Sequence, residues 1–158
     1  MTHNDVLRSI RYLLKIRDAA LADIVRLGGG EVSSAQVVAF LKKEDDEGYQ
    51  ACGDEVMARF LNGLVIYKRG RQEGRPPQPL DPLVTNNTVL KKMRAAFELK
   101  DDDIIALLER SGFRVAKAEL RAFFRRPDHR NYRDCGDKFL RNFLSGLTAA
   151  DTLQAPSR

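Results

Sequence analysis

Cysteine is scarce in this chain: Cys52 and Cys135 are its only two among 158 residues. That is too few for a disulfide framework, and a reducing cytoplasm is the expected location. No apolar run approaches the roughly 18–20 residues needed to cross a bilayer, which excludes a helical membrane span. The N-terminus MTHNDVLRSIRYLL lacks a basic segment followed by an uninterrupted apolar stretch, so no secretory signal is expected. Histidine occurs twice, at His3 and His129. Phosphate-cradling, dinucleotide-binding and nucleophile-elbow patterns are missing as well. What remains is 43% hydrophobic and 31% charged, the composition of an ordinary soluble globular chain with enough residues to bury a core.

What the sequence has is an internal repeat. Residues 4–64 recur at 87–147 without a gap, at a constant offset of 83. Asn4, Val6, Leu7, Arg11 and Asp18 fall on Asn87, Val89, Leu90, Arg94 and Asp101. Gly29, Val32, Phe40 and Asp45 fall on Gly112, Val115, Phe123 and Asp128. Tyr49, Cys52, Gly53 and Asp54 fall on Tyr132, Cys135, Gly136 and Asp137, and Phe60, Leu61, Gly63 and Leu64 on Phe143, Leu144, Gly146 and Leu147. The repeats are assigned to 4–70 and 87–150. A Pro- and Gly-rich basic linker at 71–86 separates them.

Each copy predicts four short helices. The first runs from about Asn4 to Lys15 and turns Val6, Leu7, Ile10, Leu13 and Leu14 to one side, with Val89, Leu90, Met93, Ala96 and Phe97 as counterparts. The second is expected to start on Asp18 or Asp101 as N-cap and to bury Leu21, Ile24 and Val25, or Ile104, Leu107 and Leu108. The glycines at 28–30 stop it in one copy, Ser111 and Gly112 in the other. Ser33-x-x-Gln36 is a capping box for the third helix, which carries Val37, Phe40 and Leu41 inward. In the second copy Ala116 takes the cap position, and Leu120, Phe123 and Phe124 keep the apolar face. Asp54 or Asp137 is expected to cap the fourth helix, over Val56, Met57, Phe60, Leu61 and Leu64 or Phe139, Leu140, Phe143, Leu144 and Leu147. Gly63 and Gly146 each cost about 1 kcal/mol inside a helix, so their recurrence marks either a close helix contact or a fraying end. The expected fold is all-α: a tandem duplication of a four-helix unit, its two copies packed with pseudo-two-fold symmetry.

The stretches NDVLRSIRYLLKI, FLKKEDDEGYQACGDEVMARFLNGL and RRPDHRNYRDCGDKFLRNFLSGL resemble the YehS-like bacterial family known as domain of unknown function 1456 (DUF1456). The resemblance spans nearly the whole chain, repeats and linker included. It implies a small cytoplasmic bacterial protein and brings no activity with it. The helix order also resembles phage-repressor-type helix-turn-helix domains, whose third helix enters the major groove. Here the turn at 28–32 is longer than the tight turn of those domains, and a compact four-helix unit of another purpose gives the same apolar pattern.

Charge separates the copies. Residues 4–64 hold 8 basic and 10 acidic side chains, a net of −2; residues 87–147 hold 14 and 9, a net of +5. The segment 65–86 adds +2 through Lys68, Arg69, Arg71 and Arg75 against Glu73 and Asp81. Lys117, Arg121 and Arg125 stand at i, i+4 and i+8, one face of the third helix of the second copy, opposite Leu120, Phe123 and Phe124. Arg110, Arg114, Arg126 and Arg130 flank them, and Glu119 is the one acidic residue between Arg110 and Arg126. The first copy has Ser34, Val38 and Lys42 at the stripe positions. Such a stripe either attracts phosphates or simply solvates a helix face.

Other constellations are weaker. Tyr-x-x-Cys-Gly-Asp occurs at 49–54 and 132–137; a thiol near a helix N-terminus can be activated, or can pack at the junction. No base is common to both copies, since His129 is matched by Asp46. Asp128, His129, Asp134 and Cys135 do not follow a zinc spacing, and the acidic residues at 44–47 do not follow an EF-hand. His3 is expected in a frayed terminus without a role. The expectation is a non-enzymatic binding module without cofactor or metal, with DNA or RNA as ligand of the basic repeat. The alternative is a protein-interaction adaptor using the loops at 45–53 and 128–136 or the helix faces.

Overall fold

A computed structural model describes residues 1–71, 74 and 76–154, with side chains described through residue 150; Arg75 of the basic linker lies outside the described residues. The described residues form eight helices and no strand: α1 (His3–Leu14), α2 (Asp18–Leu27), α3 (Ser34–Leu41), α4 (Asp54–Arg69), α5 (Asn86–Phe97), α6 (Asp101–Arg110), α7 (Lys117–Phe123) and α8 (Asp137–Gln154). Four fall in each repeat, in the same order, so the all-helical duplicated unit is as the sequence indicates.

The helix boundaries follow local chemistry. Thr2 opens α1: its hydroxyl accepts the Asp5 N–H at 3.1 Å, and the Asp5 carboxylate accepts the Thr2 N–H at 2.9 Å. Ser33 and Gln36 form the same reciprocal pair at α3, at 3.1 and 2.9 Å. The first helix of each copy ends on a left-handed residue that is not glycine, Lys15 (φ 55°) and its equivalent Glu98 (φ 52°). The second ends through Gly29 (φ 87°) and Gly112 (φ 77°), which fold the chain back so that the Gly30 N–H reaches the Val25 carbonyl and the Phe113 N–H that of Leu108.

The aspartates expected as N-caps sit one residue further in. Arg17, Lys100 and Gly53 hold the extended backbone that an N-cap requires, whereas Asp18, Asp101 and Asp54 are the first helical residues. There their charge meets the positive end of the helix dipole, and their side chains are used elsewhere. Asp18 pairs with Arg11 at 3.1 Å, and Asp54 takes His3 Nε2 at 2.7 Å and the Val84 N–H at 3.3 Å. His3 is therefore the fastened first residue of α1 and not part of a frayed end. Its hydrogen bond is the main reason the Asp54 carboxyl lies below the usual carboxylate range.

The chain forms two compact units, Met1–Phe97 and Glu98–Arg158. Repeat and compact unit are thus different divisions of the chain: α5, which opens the second repeat, packs against α4 inside the first unit. Packed by both α2 and α5, α4 is covered on more than one side, with Ala58 buried beside Met57, Phe60, Leu61 and Leu64, while the buried Asn62 donates to the carbonyls of Gln78 and Pro79 at 3.5 and 3.4 Å. The Lys68 ammonium lies 4.7 Å from the centre of the Phe97 ring, tying the far ends of α4 and α5 together.

Within the first unit α2 crosses α4 at a pair of glycines. A Cβ on Gly63 would come within 1.8 Å of the Ile24 carbonyl oxygen, and one on Gly28 within 1.8 Å of that of Arg59. Helix α4 continues six residues past Gly63, so the glycine serves a close approach and not a fraying end. In the second unit α6 and α8 meet less tightly. A Cβ on Gly146 would lie 2.8 Å from the Leu107 carbonyl oxygen, and Ser111 takes the place of Gly28.

Buried Asn4 fixes α1 to the end of α3 and to the loop before α4. Its amide donates to the carbonyls of Phe40 (2.9 Å) and Gln50 (2.8 Å), and its carbonyl accepts the Cys52 N–H (3.0 Å). Asn87, its counterpart in the sequence repeat, is also buried.

Candidate nucleic-acid interface

The basic segment of the second repeat is built on α6, α7 and the loop after α7. Burial of Leu120, Ala122 and Phe123 fixes which side of α7 faces inward. The ring of Phe123 meets Phe139 edge-on with centroids 4.8 Å apart, and Phe113 meets the same ring at 5.7 Å. With its inner face so held, α7 turns Lys117, Ala118 and Arg121 outward. Arg110 closes α6, Arg114 lies in the connection, and Arg125, Arg126 and Arg130 lie beyond α7. All seven of these basic side chains are exposed.

Two features depart from the sequence expectation. Helix α7 ends at Phe123, so Arg125 is not on the helical face with Lys117 and Arg121. Pro127 disfavours helical backbone at the residue before it. The Ala122 carbonyl accepts the Arg125 N–H at 3.4 Å and, from the returning chain, the Arg133 N–H at 3.3 Å. The first copy closes in the same way, the Gln50 N–H reaching Ala39 at 3.2 Å. Arg125 instead stands in the bend after α7, with Nη1 3.4 Å from Nε2 of His129.

The second departure is electrostatic. The start of α6 brings carboxylates to the stripe: Arg121 Nε lies 3.3 Å from Asp101 Oδ2, and Lys117 Nζ lies 3.6 Å from Asp102 Oδ1. Arg126 also pairs with Asp128, at 3.6 Å. The aspartates of α6 stand 15 or more positions away in sequence, and only the α6–α7 packing reveals them as neighbours of the stripe. The run Asp101, Asp102, Asp103 was the available signal. The Lys117 and Asp102 side chains are both largely exposed, so that pair contributes at most about 1 kcal/mol. Among the described residues Arg110, Arg114 and Arg130 have no carboxylate partner.

The equivalent surface of the first repeat is chemically different. Segment 27–47 carries two basic and five acidic side chains, where 110–130 carries seven and two. Val38 is exposed at the position of Arg121, and the Lys42 ammonium is turned onto the Glu47 carbonyl at 2.7 Å.

The thiols are placed alike in both copies and are poor nucleophiles. Cys52 and Cys135 are both buried. Desolvation, followed by the nearby charge of Asp54 or Asp137, pushes each up to about 12. Their sulfurs lie 3.6 and 3.7 Å from the carbonyls of Gly53 and Gly136. Asp128, His129, Asp134 and Cys135 do not converge: among the described residues no three His, Cys, Asp or Glu side chains gather as a metal site. No helix among them is long and apolar enough to cross a membrane.

The model of the family described as "Protein of unknown function (DUF1456)" matches the chain twice, at residues 3–70 and 86–151, one match on each repeat. The chain is 50% identical over 149 residues to "Uncharacterized protein YehS" of Escherichia coli (strain K12), covering 94% of this chain and 96% of that protein. No solved structure matches it.

Proposed function

The chain belongs to the DUF1456 family, and for this member we propose a non-enzymatic binding module of the cytoplasm that holds nucleic acid through the second repeat. The observation that carries the reading is the contrast between equivalent surfaces. On one helical frame, segment 110–130 presents seven exposed basic groups against two acidic ones, while 27–47 presents two against five. Charge required only for solubility has no reason to gather by sign on one copy. Phosphates approaching 110–130 release their condensed counterions as arginines and lysine replace them, which is favourable at moderate salt. The carboxylates of Asp101 and Asp102 compete for Lys117 and Arg121, and so weaken this attraction without abolishing it. Two buried thiols with a raised pKa support a role without covalent chemistry.

The test is a titration of the full chain with mixed-sequence DNA and RNA at two salt concentrations. Replacing Lys117, Arg121 and Arg125 together by Glu should weaken binding across sequences. It should also flatten the log-affinity against log-salt slope by about one unit for each phosphate no longer held. Asp102→Asn should act in the opposite sense and tighten binding up to about fivefold, because it frees Lys117 from an exposed partner. Absence of binding even at low salt overturns the reading in favour of a protein-interaction adaptor.

A further inference from the structure

We propose, on the basis of that reading, that the ligand of this surface is a double-stranded nucleic acid held by its phosphate backbone, in preference to a single strand. Two ways of holding a nucleic acid are separable by the side chains they need. Proteins that grip single strands combine positive charge with exposed aromatic rings on which bases stack, each base contributing about 1–3 kcal/mol. The second unit has charge without such a platform. Phe123, Phe139 and Phe143 are buried, and Phe113, Phe124 and Tyr132 are half-buried; no phenylalanine or tyrosine in its described part is exposed, which leaves the small imidazole of His129 as the exposed ring among these described residues. Phe113, Phe123 and Phe139 are engaged with one another in the core, so the residues that would stack on bases are instead holding α7 in place. The exposed residues between and beside Lys117 and Arg121 include Ala116 and Ala118, which present a methyl group and no ring.

A surface that attracts by charge alone favours the ligand with the greatest charge density. A duplex carries one phosphate charge per roughly 1.7 Å of its axis, and each phosphate neutralised contributes about 0.9 to the salt slope, against about 0.7 in a single strand. Rigidity acts in the same direction. Lys117 and Arg121 are one helical turn apart, about 6 Å along the axis, on a helix whose inner face is packed. Cations carried on a packed helix lose less on meeting a stiff array of phosphates than on ordering a flexible strand. If four of the seven groups engage phosphates, raising salt from 50 to 200 mM weakens duplex binding about 150-fold and single-strand binding about 50-fold.

The experiment compares the full chain against three probes at both salts: a 20-base-pair DNA duplex, a 20-base-pair RNA duplex, and a 20-nucleotide oligo(dT). The expected result is binding to a duplex about tenfold or more tighter than to oligo(dT) at 50 mM salt, with the steeper slope. Preference for one duplex over the other names the natural source and supports the inference equally. Equal or tighter binding of oligo(dT) overturns it while leaving nucleic-acid binding intact. Binding to none of the three removes the underlying reading, and this inference with it. The Lys117, Arg121 and Arg125 to Glu variant, checked for unchanged helix content, should lose the duplex advantage; if it keeps it, the surface is misassigned.

Discussion

The side-chain carbonyl of Asn4 holds the backbone N–H of Cys52 at 3.0 Å, across 48 residues of chain, while its amide serves two further carbonyls. One buried side chain thus satisfies three backbone groups from α3 and from the loop that precedes α4. Asn4→Ala leaves them without partners in a region closed to solvent, so a loss of about 2–4 kcal/mol is expected in chemical denaturation. Asn4→Asp should be worse than its near-identical shape implies, because a carboxylate cannot donate to Phe40 and Gln50. Parity of Asn4→Asp with wild type would contradict this role for the amide.

The glycine crossing gives a comparison within one molecule. Gly63→Ala drives a methyl group into the Ile24 carbonyl and should destabilise by about 3 kcal/mol or more, despite the gain of about 1 kcal/mol in helix propensity. Gly146→Ala meets its carbonyl at 2.8 Å and should cost visibly less. Thermal melts of the two variants decide the order, and equal losses would show that the crossings are equivalent.

The thiols predict a pH dependence with a definite sign. Each has a folded-state pKa of about 12 against an ordinary value of 9.0. Their contribution to stability is fully present below pH 9 and fades as pH rises toward 12, because the unfolded chain releases its thiol protons first. In Cys52→Ser the alkaline decline should be shallower. Labelling of the native protein by a thiol reagent at pH 8 should be slow and should become rapid on unfolding; fast native labelling of both thiols would revive a reactive role.

Local periodicity made most of the fold legible. Val6, Leu7, Ile10 and Leu13 are buried where a period of 3.6 places them, and Ser33 caps α3 with Gln36 as that spacing requires. Helix starts were displaced by one residue at Asp18, Asp54 and Asp101. An aspartate serves the first turn and the cap almost equally well, and the choice was made by distant partners such as His3. The basic stripe was legible as composition and not as geometry. A seven-residue helix is too short to carry Arg125, and the carboxylates facing Lys117 and Arg121 come from another helix. Pairing between elements has no signature in a spacing of i and i+4.

For mutation, the meeting of Gly28 with Gly63 works as a ratchet. Neither position can gain a side chain until the opposite helix has withdrawn, and Arg59, bound to the carbonyls of Gly28 and Gly29, holds that helix in place. In the second repeat the ratchet is open. Ser111 stands for Gly28, and Asn142 stands for Arg59 and bonds within its own helix. Two copies of one unit therefore have unequal freedom to vary along the same seam: the first is nearly closed to single changes there, and the second has already varied at two of its positions while Gly146 still faces the Leu107 carbonyl.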